Sequence, residues 1–311
     1  MITYNQLIIS FFASLLGGAT LLSLAVWKDK RYYHSFVQYM IGLTIMLNVR
    51  YFTEGPTQGI AFFVGIYDVL HNLAAGPNPN ATAALIPCYP DDPACSVMEG
   101  YYDYHPKWGV AFHHRFQFAP AWRTQLLLVH IACNTLAFCL MTLQIYVPAK
   151  RGAAQGGGKK ENQQHRVLGR IASGSLVVGV LSACLLSLEH GSVDDYGGKM
   201  ATYGFNLMGI FVLLPAFMGM RAIIVDRNVP AHARWMFRCA GSMWGAFWIF
   251  RGMELVLGPL LTNFHVLSIQ LCVWCSAPIG LAIAEAILRS RGNFLLKAET
   301  PAATAGIKKQ A

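Results

Sequence analysis

Seven apolar stretches, separated by loops whose Lys and Arg residues fall almost entirely on alternate sides, constrain this chain more than any other feature. A helix needs about 20 mostly apolar residues to cross a bilayer, because each residue advances it by only about 1.5 Å. Residues 6–27, 122–147, 167–188, 202–220, 235–257 and 265–288 provide such windows. Residues 32–52 form a weaker seventh, with a short apolar centre and Arg50 near its end; a snorkelling Arg or a shorter inserted helix would accommodate it. Only 13% of residues are charged, against roughly 25% in soluble domains. The expected fold is all-α: a multi-pass transmembrane helical bundle of about seven spans, in contact with membrane lipid.

Cytoplasmic loops carry the excess of Lys and Arg, and the basic loops of this chain agree with one another. Lys28, Lys30 and Arg31 follow the first span; Lys150, Arg151, Lys159, Lys160, Arg166 and Arg170 surround the start of the fourth. Arg221, Arg227, Arg234 and Arg238 join the fifth to the sixth, and Arg289, Arg291, Lys297, Lys308 and Lys309 form the tail. That places 18 of the 24 basic residues on one side, with the N-terminus outside or lumenal and the C-terminus cytoplasmic. The net charge of +9 then reflects topology and attraction to anionic lipid, and calls for no nucleic acid. No basic residue precedes the first apolar run and three follow it, as in an uncleaved anchor.

The implied organisation is a two-span region over 1–53, an external loop cap over 54–121, a five-helix membrane core over 122–288 and a cytoplasmic tail over 289–311. The apolar stretch 59–75 carries Asp68 and His71 on one helical face and reads as an amphipathic helix; counting it as an eighth span would move the basic segment 148–166 outside. Cys88 and Cys95 are the cap's only cysteines, so an oxidising exterior would favour a disulfide, with two free thiols as the alternative. Asn80 begins a glycosylation sequon in the same loop. The other six cysteines, including Cys272 and Cys275 of a CxxC, lie in apolar spans and read as small buried hydrophobes. Ser175, Gly179 and Ala183 form a small-residue stripe on the fourth span that permits close helix approach.

Polar residues inside lipid are costly, which makes them functional candidates. Towards the outer side lie His130 and Asn134, Glu189 and His190, Asn206, Arg251 and Glu254, and His265. Trp244, Trp248 and Arg251 share one face of the sixth helix, suited to a planar or lipophilic ligand or simply to aromatic packing. Towards the cytoplasm lie two similar motifs, HRxLGR at 165–170 and HxRWMxR at 232–238, each placing a His just before a span and an Arg on its first turns. Lipid-headgroup anchoring explains the arginines without explaining the paired histidines.

The order of His130, HRxLGR, HxRWMxR and Arg251 resembles the multi-pass membrane proteins grouped as domain of unknown function family 2306, over roughly residues 123–257. Ala233 stands where an Arg is common in that pattern. The resemblance implies a helical membrane core and points to these residues, but it implies no particular reaction.

Three functions fit. The first is a b-type haem protein working with a redox partner, similar in plan to the cytochrome b561 group: His165 and His232 would ligate the iron, and Arg166, Arg170 and Arg238 would meet the propionates. The second is a membrane-embedded isomerase or cyclase acting on a lipophilic biosynthetic intermediate, with His130 and Glu254 as acid and base and Arg251 orienting the substrate. The third is a transporter or accessory subunit, for which only Gln144 and Gln270 offer polarity between the two clusters. No Walker or dinucleotide glycine motif occurs in a strand-to-helix setting.

Overall fold

The computed structural model describes residues 4–28, 32–56, 59–60, 120–146, 158–188, 198–261 and 265–290, which are helical and contain no strand. The helices are α1 (Tyr4–Trp27), α2 (Tyr32–Thr53), α3 (Ala121–Tyr146), α4 (Gly158–Leu188), α5 (Gly198–Ile224), α6 (Val229–Trp244), α7 (Phe250–Leu260) and α8 (His265–Ser290). A π-helical turn, Gly245–Ile249, joins α6 to α7, and its flanking residues keep helical backbone angles, so the three pieces form one rod. The described residues of each of the seven apolar stretches therefore lie in a helical rod. Helices suit a chain of this composition because lipid offers no partner for backbone N–H and C=O groups, and a helix satisfies them internally.

Four segments are long and apolar enough to cross a membrane: Ala121–Ile145, Gln163–Leu188, Gly198–Ile224 and Leu267–Arg289; Ser10–Ala25 of α1 is a shorter apolar stretch. Their outward faces are apolar, with Leu185 and Phe217 among the exposed side chains. Cys88, Cys95, Asn80 and most of the 59–75 stretch lie outside the described residues. So do Glu189 and His190, and the side chain of His265.

The core lies between α3, α4, α5 and α6, where Phe138, Met141, Leu176, Val180, Val212 and Cys239 are buried. Packing is closest at glycines. A Cβ on Gly245 would lie 2.3 Å from the Ser276 carbonyl oxygen, and one on Gly280 would lie 2.2 Å from the Gly241 carbonyl oxygen. Gly241 and Gly245 thus form a four-residue small-side-chain repeat facing Ser276, Gly280 and Ala284 of α8. The Ser175–Gly179–Ala183 stripe behaves as expected at its middle member: a Cβ on Gly179 would lie 2.9 Å from the Asn134 backbone nitrogen. α1 is held against α2 by the Tyr39 hydroxyl, which donates to the Ser14 carbonyl at 2.7 Å.

The α5–α6 connection is tight. Arg227 adopts a left-handed φ of 50°, the Asn228 N–H reaches back to the Ala222 carbonyl at 2.8 Å, and Asn228 then caps α6 by accepting from the Ala231 N–H at 2.9 Å. Pro230 comes next, in the first turn, where its missing N–H costs nothing.

Candidate functional site

A cavity of about 280 Å³ opens between α2, α3, α4, α5 and the rod of α6 and α7. Asn48 and Tyr51 of α2, His130, Asn134 and Thr135 of α3, Ser187 of α4, and Arg251 and Glu254 of α7 bring polar atoms to it. The rest of its wall is largely apolar, with Phe138, Phe205, Phe247 and Phe250 among it. Apolar walls with a few convergent polar groups are the common form of a small-molecule site. All three residues assigned to the embedded-enzyme reading, His130, Arg251 and Glu254, line this one cavity.

Each polar group reaches the cavity for a local reason. Residues three and four apart share a helix face, which pairs His130 with Asn134, Arg251 with Glu254, and Asn48 with Tyr51. Asn48 Nδ2 donates to Thr135 Oγ1 at 2.8 Å and ties α2 to α3. Ser187 Oγ donates to the Cys184 carbonyl at 2.8 Å and accepts from Asn206 Nδ2 at 3.0 Å, which gives Asn206 a structural task between α4 and α5. Tyr51 is buried against Gly59, whose missing side chain leaves room for the ring: a Cβ there would lie 2.7 Å from Tyr51 Cγ. Tyr51, His130 and Glu254 all lie within electrostatic range of Arg251.

The π turn reorganises the sixth rod. It takes an extra residue into one turn, which rotates the α7 portion of the rod by about 100° relative to a regular helix. The expected Trp244–Trp248–Arg251 face is consequently broken. Trp244 packs into the core against Phe36 and Phe138, with ring centroids at 6.1 and 5.1 Å, and donates to Thr142 Oγ1 at 3.3 Å. Neither Trp244 nor Trp248 is among the cavity's lining residues. Phe247 takes the role expected of the tryptophans, lying under the Arg251 guanidinium.

The HRxLGR and HxRWMxR motifs differ from expectation in two respects. Both histidines lie inside helices, since α4 begins at Gly158 and α6 at Val229. Arg238, assigned to a haem propionate, is engaged elsewhere: its Nη2 lies 2.8 Å from Glu285 Oε2, and its guanidinium sits 4.7 Å from the Trp235 ring centroid. Arg289 joins the same carboxylate at 3.0 Å. Arg166 and Arg170 are exposed. His165 and His232 are brought within electrostatic range of each other, and His232 Nδ1 lies 2.8 Å from the Gly219 carbonyl oxygen. Neither lines the cavity.

Gln144, one of two residues that suggested a polar path, donates from Nε2 to the His165 carbonyl at 2.9 Å and so links α3 to α4. Cys272 and Cys275 are free thiols, Cys272 buried and Cys275 partly so.

Sequence reasoning did not single out Asn48, Tyr51, Thr135, Phe247 or Glu285. Asn48 and Tyr51 carried a usable signal: they sit three apart with Thr44 in the least apolar span, which is where a helix facing a polar site would show it. The fold and site define an all-helical bundle, with four helices long and apolar enough to cross a membrane, around a largely apolar cavity that carries a few polar groups. Comparison with protein families, curated proteins and solved structures finds no match.

Proposed function

We propose that this protein is a seven-span integral membrane protein whose cavity binds and transforms a lipophilic small molecule. In this reading Arg251 orients the molecule's polar end, while His130 and Glu254 exchange protons with it, as an isomerase or cyclase would require. The carrying observation is that polar side chains from four helices converge on one largely apolar cavity. The positive-inside distribution supports an external N-terminus and a cytoplasmic C-terminus, and α1, α2 and the α6–α7 rod complete the seven spans. The resemblance to family 2306 is consistent with this arrangement and rests on the motifs alone.

The test is direct. Purified protein is extracted with organic solvent, and co-purifying lipophiles are compared between the wild type and His130→Phe. A species retained by the wild type and lost from the variant is the expected result. Identical extracts would count against the cavity as a ligand site.

A second reading, haem bound between His165 and His232, is favoured by one observation. A carbonyl oxygen can only accept, so His232 Nδ1 carries a proton towards Gly219, and in the neutral ring that leaves the lone pair on Nε2, the form in which an imidazole ligates a metal. Haem would supply electron transfer there, with Arg166 and Arg170 as the remaining cations for propionates. A reduced-minus-oxidised spectrum with b-type bands that is abolished in His232→Ala would support it, and a colourless protein purified from haem-replete cells would oppose it.

A further inference from the structure

His130, Asn134 and Gly179 form a small hydrogen-bonded group at the wall of the cavity. His130 Nδ1 lies 3.0 Å from the Gly179 carbonyl oxygen, Asn134 Nδ2 lies 3.1 Å from the same oxygen, and the two nitrogens are 2.9 Å apart. The three atoms make a near-equilateral triangle, and this shape decides where the proton sits. Seen from Asn134 Nδ2, the directions to the carbonyl oxygen and to His130 Nδ1 differ by about 60°, whereas the two hydrogens of an amide diverge by about 120°. One amide group cannot aim a hydrogen at each.

If Asn134 donated to the imidazole, His130 Nδ1 would present a lone pair to a carbonyl oxygen at 3.0 Å, an acceptor facing an acceptor. If instead Nδ1 carries the proton, both nitrogens aim at the one oxygen, which as a mid-helix carbonyl also accepts the ladder N–H of Ala183, so the two side-chain donors share its remaining lone pair. Turning the amide over would set its oxygen against the carbonyl and lose a bond. Ser182 Oγ also lies 2.9 Å from this oxygen, but it has the Val178 carbonyl at 2.9 Å as well. The arrangement depends on Gly179, because a Cβ there would enter the space of the Asn134 amide, 2.7 Å from its Cγ.

We infer that Asn134 and the Gly179 carbonyl are positioning groups that hold His130 in the Nδ1-protonated tautomer, leaving Nε2 as an acceptor, so that the cavity selects a lipophile whose polar end is a hydroxyl donor. Alcohols, phenols and enols belong to that class; ethers and esters do not. The inference rests on the reading of the cavity as a ligand site, and it adds the direction of the first hydrogen bond. A donor on the ligand pairs with Nε2, whereas an ether oxygen in the same place would set acceptor against acceptor. If His130 acts as a proton acceptor, it takes the hydroxyl proton on Nε2, becomes an imidazolium with both N–H groups, and leaves an alkoxide or enolate oxygen within range of Arg251.

The test uses the full chain in nanodiscs with two isomeric probes of equal length, dodecan-1-ol and methyl undecyl ether. The alcohol should bind about tenfold more tightly than the ether, and the ratio should fall towards one in Asn134→Leu and in His130→Phe. ¹⁵N NMR of histidine-labelled protein, with the signal assigned by its loss in His130→Gln, should show a protonated Nδ1 and an unprotonated Nε2; Asn134→Leu should mix the tautomers. Two cavity-filling variants, Ala183→Phe and Ile131→Trp, separate the possible failures. If neither weakens either probe, the ligand-site reading fails and takes this inference with it. If they weaken both probes but alcohol and ether bind alike, or if His130 proves to be protonated on Nε2, the inference fails while the cavity remains a site.

Discussion

Arg251 lies across the ring of Phe247, its guanidinium carbon 4.1 Å from the ring centroid, and its Nη1 donates to the Phe247 carbonyl at 2.8 Å. The same residue thus grips the arginine through its backbone and its side chain, and holds a flat cation at the cavity wall. A lysine has neither the plane to stack nor the fork of donors, so the exchange is not conservative here. Arg251→Lys should weaken ligand retention by about tenfold, which corresponds to about 1.4 kcal/mol, with little change in thermal stability. Extraction of bound lipophiles from wild type and variant at equal protein load measures it, and equal retention would remove Arg251 from the site.

The position of Phe247 shows why part of this site was legible in the sequence and part was not. His130, Arg251 and Glu254 stood out because an ionisable side chain inside an apolar run is costly and needs a partner. A regular helix aligns Trp244, Trp248 and Arg251, and no local sign announces that a π turn intervenes, since Gly245–Ile249 contains no proline and only one glycine. The turn is set by tertiary packing: Gly245 lies against the backbone of α8, and the rod takes up an extra residue there. Arg238 misled for a similar reason. Its partner Glu285 is 47 residues away, a separation at which spacing along one helix carries no information.

Glycines in the helices fall into two groups with opposite predicted behaviour. A Cβ on Gly245 would meet the Ser276 carbonyl at 2.3 Å, and neighbouring backbone has little freedom to yield. Gly245→Ala should therefore cost at least the 1–3 kcal/mol or so of an overpacked core. Gly174 has nothing within 4 Å of the same position, so Gly174→Ala should stabilise α4 by about 0.5–1 kcal/mol through lost unfolded-state freedom. Thermal melts in one detergent should move in opposite directions, and equal shifts would contradict this packing.

The α5–α6 turn offers a compact test of topology. Asp226 is exposed in a connection of four residues, Val225 to Asn228, which contains Arg227 and is flanked by Arg221 and Arg234. The proposed topology has this turn on the cytoplasmic side. In a background whose eight native cysteines are all replaced by Ser or Ala, Asp226→Cys should resist an impermeant maleimide in intact cells and react after permeabilisation. Labelling of intact cells would invert the proposed orientation.

Glu285 holds two arginines of unequal value. Its Oε2 lies 2.8 Å from Arg238, whose side chain is 23% exposed, and its Oε1 lies 3.0 Å from Arg289, which is 79% exposed. Solvent screens the second pair far more than the first, and Arg289 is also the freer side chain to lose on pairing. The Arg238 pair has a further structural role, because it links α6 to α8 where the Gly241–Gly280 contact brings the two helices together. A double-mutant cycle should therefore give a coupling of about 1 kcal/mol between Arg238 and Glu285 and close to zero between Arg289 and Glu285. The contrast also bears on the haem reading: if Arg238 instead bound a propionate, Glu285→Gln would leave the protein's stability unchanged, and Arg238→Gln would alter the spectrum of the cofactor. Loss of stability in Glu285→Gln, matched by Arg238→Gln and not worsened in the double variant, is the expected outcome. Additive losses in the two single variants would show that the pair does not act as one unit.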